Sequence, residues 1–327
     1  MSEGPAPDAP VGKEAEGRPS RRVWPTLVTL FSILPAGTIA VSTIVLILAA
    51  RVMGGIDLRN QSGLQDWLAE ISASPVGILI IIAPGQLFFL ALAIGAALPS
   101  PDPLSKRLGF VQPRYSSRTW ALLCLGTPVV QIASVLFAQL FFDLNEPSEH
   151  LKMLESLFTN QSGFLGVTLL ILFASIMPGL SEELFFRGYV RVGLERPFIP
   201  ESNAPKFIVA ILLPALIFAA LHGDLMHATA VLPLGLWFGC IAWWSRSVIP
   251  SIIAHLVNNL FAIFSARYAT ALEAEGGDLE SAVDAAGSLS EMTTMVVVGY
   301  VICFLMLLAG IFRLIRERSS RQVSSTP

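Results

Sequence analysis

GFLGVTLLILFASIMPGLSEELFFRGYV, residues 163–190, starts as an apolar run and ends with two adjacent carboxylates and an arginine set against it. A helix needs about 20 predominantly apolar residues to cross the hydrocarbon core of a bilayer, and Gly163–Leu180 comes close to that length. Charges at such depth cost a few kcal/mol each on insertion scales, so they need partners or a purpose. The composition supports the membrane reading: of 327 residues, 54% are hydrophobic and only 14% are charged. Mean hydropathy is +0.67, and the charged share falls well below the ~25% usual in soluble domains.

Working outward from this stretch, further spans are expected at Trp24–Ala50, Pro75–Leu98, Thr119–Phe142, Phe207–Leu221, Ala228–Trp244, Ile249–Phe264 and Thr294–Ile315. The expected fold is an all-α, polytopic transmembrane helical bundle of about eight spans with a polar cavity inside it. The first apolar stretch is too long for a signal-peptide core and reads as a retained span. Residues 1–22, rich in Pro, Gly and charge, read as a disordered cytoplasmic tail. Residues 23–315 form the helical domain, with its motif-bearing core at about 164–264, and residues 316–327 form a basic cytoplasmic tail.

Charge asymmetry gives the orientation. With the N-terminus cytoplasmic, Lys106, Arg107, Arg114, Arg118, Arg187, Arg191, Arg196, Lys206, Arg246 and the basic C-terminus all fall on the cytoplasmic side. The acidic stretches DLNEPSEHLKMLE and 265–291 fall opposite. NQSG occurs twice, at Asn60–Gly63 and Asn160–Gly163, and its glycosylation-like pattern reads as chance loop chemistry. Cys124, Cys240 and Cys303 are far apart in apolar runs and read as small buried residues without redox or metal roles.

Three polar constellations interrupt the apolar segments. In the first, Glu183 and Arg187 stand i, i+4 with the acid N-terminal, the favourable order, so they share a helix face and neutralise one another. Glu182 points about 100° away without a sequence-local partner, and a desolvated carboxylate of that kind suits a general base. The alternative is a solvated helix end. In the second, Phe218 and His222 are again i, i+4, after an apolar run, so the aromatic packs on the imidazole. Asp224 and His227 read as loop residues and His150 as surface. In the third, His255 and Asn259 share a face with Asn258 beside them, either as interhelical glue or as donors aimed at a developing negative charge.

A carboxylate, two histidines and an amide from three segments would together supply a base, an acid and oxyanion donors for amide hydrolysis. The sequence contains no G-x-S-x-G elbow, no H-E-x-x-H zinc helix, no phosphate loop and no basic nucleic-acid patch. The partners expected are therefore the lipid bilayer and a peptide or membrane-associated protein substrate, with no nucleic acid.

E-E-x-x-x-R at Glu182–Arg187, F-x-x-x-H at Phe218–His222 and H-x-x-x-N at His255–Asn259, in that order, resemble the CPBP intramembrane proteases. That family includes the type II CAAX prenyl endopeptidases and bacterial bacteriocin-processing or abortive-infection proteins. The resemblance covers about residues 164–264. It implies an integral membrane endopeptidase in which Glu182 activates water with help from His222, and His255 and Asn259 bind the oxyanion. Glu183, Arg187 and Phe218 would hold the site in shape. No cofactor is expected. The alternatives are a zinc-dependent protease with Glu182, His222 and His255 as ligands, a transporter using the same polar groups as an ion path, or an immunity-type binding protein.

One geometric conflict follows from the simple topology, which puts Glu182 and His222 at opposite membrane faces. Either the fourth helix continues through Tyr189, or the fifth stops short of crossing.

Overall fold

The computed structural model describes residues 24–53, 61–143, 146–195, 208–274 and 291–324. The expected N-terminal tail, Asn60, Arg196, Lys206 and most of the acidic stretch 265–291 lie outside these residues.

Every regular element among the described residues is a helix. Seven are long and apolar enough to cross a bilayer: α1 (Trp24–Met53), α3 (Pro75–Ala97), α4 (Ser117–Gln139), α6 (Gly163–Glu195), α8 (Leu225–Ser245), α9 (Ile249–Ala274) and α10 (Glu291–Ser324). Two shorter amphipathic helices, α2 (Gln61–Ser72) and α5 (Glu149–Thr159), lie between them. The remaining apolar segment, α7 (Ile208–Ala220), is too short to span. At 1.5 Å per residue it covers about 20 Å, against the ~30 Å of hydrocarbon. Where about eight spans were expected, seven helices are long enough to cross, and the eighth segment, α7, is not. The last helix also runs on through the basic residues past Ile315, to Ser324.

The conflict over Glu182 and His222 is removed from both sides. Helix α6 continues unbroken through Tyr189 to Glu195, and α7 ends at Ala220. His222 therefore sits in a turn inside the bundle, just before α8 begins at Leu225.

Four of the helices share one irregularity, with a proline as its cause. Widened π turns at Thr29–Ile33, Ile78–Ile82, Leu172–Ile176 and Ile208–Leu212 each precede, by two residues, Pro35, Pro84, Pro178 or Pro214. A proline ring displaces the carbonyl four residues back, which here is the middle of the widened turn. A fifth π segment, Leu184–Val190, has no following proline and carries Arg187 on its inner side.

The core centres on the aromatic part of the first motif. Phe185 and Phe186 are wholly buried and meet edge to face at 5.1 Å between ring centroids. Phe89 of α3 packs on both, and Phe186 meets Phe218 of α7 at 5.4 Å. Edge-to-face pairs of this kind add about 0.5–1.5 kcal/mol beyond area burial. This cluster fixes α3, α6 and α7 relative to one another, so the residues following and preceding it on each helix are held in register. By contrast, Phe164, Leu165 and Leu172 on the outer face of α6 are exposed, as lipid-facing residues should be.

Candidate active site

The Glu183–Arg187 pair forms as the spacing predicts. Arg187 Nη1 donates to Glu183 Oε1 at 2.8 Å, and both side chains are essentially buried. The guanidinium also donates to the Gly235 carbonyl on α8 at 2.8 Å and lies 4.7 Å over the Phe218 ring. Gly235 leaves room for this approach. A Cβ at that position would stand 3.2 Å from Phe218 Cδ1 and 3.5 Å from Arg187 Nη2, closing the approach.

His255 joins this pair from α9. Its Nδ1 lies 3.0 Å from Glu183 Oε1, while its Nε2 is 3.9 Å from Glu182 Oε2. The ring stacks on Phe238 at 4.7 Å and presents its face to no solvent, being 4% exposed. A carboxylate already accepting from arginine has no proton to give, so Nδ1 carries the hydrogen and donates. Nε2 is then the atom that faces Glu182.

Glu182 turns away from Arg187, as expected, but it does have a partner. Gln86 of α3 donates from Nε2 to Glu182 Oε1 at 2.9 Å, and Gln86 Oε1 in turn accepts from Ser181 Oγ at 2.6 Å. Sequence reasoning missed Gln86, because a lone glutamine in an apolar helix has no periodic signature and the contact joins residues almost a hundred positions apart.

His222 lies 2.9 Å from the Phe218 carbonyl through Nδ1, with its ring edge-on to Phe218 at 5.0 Å. A carbonyl only accepts, so Nδ1 is the donor and Nε2 keeps its lone pair. The i, i+4 relation therefore fixes the tautomer as well as the packing. Asn258 donates from Nδ2 to Asn259 Oδ1 at 3.2 Å, which leaves the Asn259 amide hydrogens free for another acceptor.

Glu182, His222, His255, Asn258 and Asn259 all line one cavity of about 430 Å³, together with Phe218 and Phe238. Its far wall is the apolar side of α5, through Leu151, Leu154 and Phe158. Helix α5 is held against the bundle by Arg267 of α9, whose Nη1 donates to the carbonyls of Phe158, Thr159 and Gln161.

Three residues read as loop or surface prove to be part of this neighbourhood. Asp224 caps α8 by accepting from the His227 amide at 2.7 Å. His227 itself lines the cavity, 4.5 Å from the His222 ring, and His150 Nε2 lies 3.2 Å from His227 Nδ1. Burial works to raise the Asp224 carboxyl, but the bonds from His227 and Ser148 and the nearby imidazoles hold it below its ordinary value. An Asp two residues after a turn histidine and just before an apolar run is an N-cap signal that could have been read from the sequence.

Residues 164–261 match the family model described as type II CAAX prenyl endopeptidase Rce1-like. This segment belongs to the CPBP intramembrane protease family. Every expected site residue, from Glu182 to Asn259, falls inside the matched segment, whereas Gln86 and the α5 wall fall outside it. The family is one of membrane-embedded proteases, and the helices of this chain make it an integral, multi-pass membrane protein. The chain matches no curated protein and no solved structure.

A zinc ion held by Glu182, His222 and His255 was the alternative site. Among the described residues, no group of three or more His, Cys, Asp or Glu side chains is arranged to hold a metal ion. Glu182 is engaged by Gln86 and its nearest oxygen to His255 Nε2 is at 3.9 Å.

Proposed function

We propose that the chain is an intramembrane endopeptidase in which Glu182 is the general base for a water molecule. The observation that carries this reading is that Glu182, His222, His255 and Asn259, drawn from α6, the α7–α8 turn and α9, all line a single cavity.

The protonation pattern gives each group a distinct task. His222 offers the Nε2 lone pair and accepts from one water hydrogen, while Glu182 accepts the other and removes it. The hydroxide adds to the scissile carbonyl carbon, and the carbonyl oxygen becomes an oxyanion. Asn259, whose own Oδ1 is occupied by Asn258, donates from Nδ2 to that oxyanion. As an imidazolium, with Nδ1 held by Glu183, His255 donates from Nε2 to the same oxyanion. Collapse of the intermediate breaks the C–N bond, and the proton held by Glu182 passes to the departing amine. Donors fixed in advance around the oxyanion account for the largest part of such acceleration.

Glu183, Arg187 and Phe218 act by position. They lock His255 and the α6–α8 contact, which sets the distance between base and donors. The basic end of the bundle, with Arg107, Arg191 and Arg246, faces the cytoplasm on this reading. Peptides or membrane-associated proteins are the substrates.

The test is proteolysis of a pooled peptide library by the purified protein in detergent, with and without a strong zinc chelator. Cleavage that survives the chelator supports the glutamate–water reading. Cleavage lost on chelation moves the assignment to the zinc-dependent alternative, and absence of cleavage returns it to a transporter or binding protein.

A further inference from the structure

A second cavity, of about 280 Å³, lies among α4, α8 and α10 and shares no lining residue with the one that holds Glu182. Helix α8 separates the two: Leu234 and Phe238 line the candidate active site, and Trp237 and Trp244 line this one. Its wall also includes Tyr115 just before α4, Leu123, Leu314 and a single charged side chain, Arg318. Contacts between α4 and α10 hold it in shape. Gly310 packs so closely on α4 that a Cβ there would stand 2.9 Å from Leu123 Cδ2. Nearer the end of α10, Glu317 accepts from Ser116 Oγ at 2.6 Å and from Thr119 Oγ1 at 2.7 Å. Ile311 and Ile315, at the edge of the cavity, are exposed, so it opens on the lipid-facing side, where acyl chains are the solvent.

Charge at the mouth selects which lipid. Arg321 stands over the Tyr115 ring, 5.1 Å from its centroid. The carboxylates at this end are already engaged: Glu195 with Arg191 and Arg246, and Glu317 with Arg313 and the α4 hydroxyls. Arg114 and Arg318 form no ion pair among the described residues, and Arg114 stands close enough to Arg246 for their charges to repel. The backbone is strained at the same place. Among the described residues, Tyr115 (φ 69°) and Arg246 (φ 56°) are the two non-glycine positions in the left-handed region. A bond of 2.7 Å from the Arg114 amide to the Ser245 carbonyl joins their chain neighbours. Outliers of this kind gather at ligand clamps and active sites.

We propose that this cavity binds one acyl chain of an anionic phospholipid, with the headgroup phosphate at Arg318. Indole and phenol rings near helix ends sit at headgroup depth, and basic pockets between spanning helices take lipid phosphates. A zwitterionic lipid brings its own ammonium to the same phosphate and gains less from the arginines. A second copy of the chain has the same orientation in the bilayer, so it would set its own basic end against Arg318, like charge against like. The site touches neither Glu182 nor its water, and it is independent of the protease reading.

The experiment follows tryptophan fluorescence of the full chain in phosphatidylcholine vesicles. A minor share of the lipid is replaced either by phosphatidylglycerol or by phosphatidylcholine, each brominated in mid-chain, because bromine quenches the indoles it meets. Lipids that merely surround the protein quench alike whatever their headgroup, whereas the proposed site gives stronger quenching by brominated phosphatidylglycerol. That excess should vanish when Trp237 and Trp244 are both replaced by phenylalanine. Arg318→Gln, a change at an exposed side chain, should raise the phosphatidylglycerol needed for half the excess about fivefold. Arg318→Lys should recover part of the loss. Glycerol phosphate, a headgroup without chains, should not compete. Equal quenching by the two lipids, an excess that survives the paired tryptophan replacement, or displacement by glycerol phosphate would overturn the proposal. So would a crosslinked dimer whose tryptophans are shielded from both lipids, which assigns this face to a second copy. The comparison of the two lipids on the unsubstituted protein stands even if a variant fails to fold.

Discussion

The imidazole of His255 bonds through Nδ1 to Glu183 Oε1 at 3.0 Å, tying the third motif to the first across 72 residues of chain. The same oxygen accepts from Arg187, so one buried carboxylate holds two cationic or donor groups from two helices. Removing Arg187 leaves the buried Glu183 charge without its counter-ion. Arg187→Ala is expected to destabilise the protein by about 3–5 kcal/mol, the range for breaking a buried pair. Thermal unfolding in detergent measures it, and a variant as stable as the parent would show that the pair does not hold the helices together. Arg187→Lys should not rescue stability, because a single ammonium cannot also reach the Gly235 carbonyl in the guanidinium's fork geometry.

Gln86 supplies the only hydrogen bond to Glu182 seen among the described residues. Gln86→Leu should lower kcat about tenfold while KM and melting temperature stay close to those of the parent, since the lost bond orients the base without touching the α5 wall. A change confined to KM would place Gln86 in substrate binding instead.

How much of this was readable from the chain depends on the reach of each contact. Glu183 with Arg187 and Phe218 with His222 are four residues apart, and helical geometry alone puts them together. The link from His255 to Glu183 was not read from the chain, because no local rule joins α6 to α9; the sequence offered only the expectation that the three motifs share one site. Gln86 and the α5 wall were invisible: they lie outside the motif segment, and their residue types are unremarkable in apolar or amphipathic helices. His227 was misread as loop because Asp224, its cap, was not recognised as a helix start. The length of α7 was the decisive hidden fact, since hydropathy marks an apolar segment without fixing where its helix ends.

Asn259→Ala should reduce kcat by about 10²–10³-fold, the usual cost of one oxyanion donor, with little change in stability. Asn258→Ala should lower it less, because it frees the Asn259 amide to rotate without deleting it. An order of effects reversed between these two would assign the oxyanion contact to Asn258.

A single turnover in H₂¹⁸O should place one ¹⁸O atom in the new C-terminal carboxylate of the product. Water activated by Glu182 adds directly to the scissile carbon and leaves its oxygen there. Attack by the Glu182 carboxylate would instead form a mixed anhydride, and an unlabelled product in that first turnover, from water opening it at the Glu182 carbonyl, would contradict direct addition of water.

The most direct measurement is the cleavage rate of Glu182→Gln beside that of the parent, with unfolding temperatures taken on the same preparations. Glutamine keeps the size of Glu182 and a carbonyl oxygen able to accept from Gln86, but it cannot remove a proton from water. The account predicts cleavage reduced by at least about 10²-fold, the lower range for loss of a general base, at an unchanged unfolding temperature. Cleavage at the parental rate in a folded Glu182→Gln protein would contradict it.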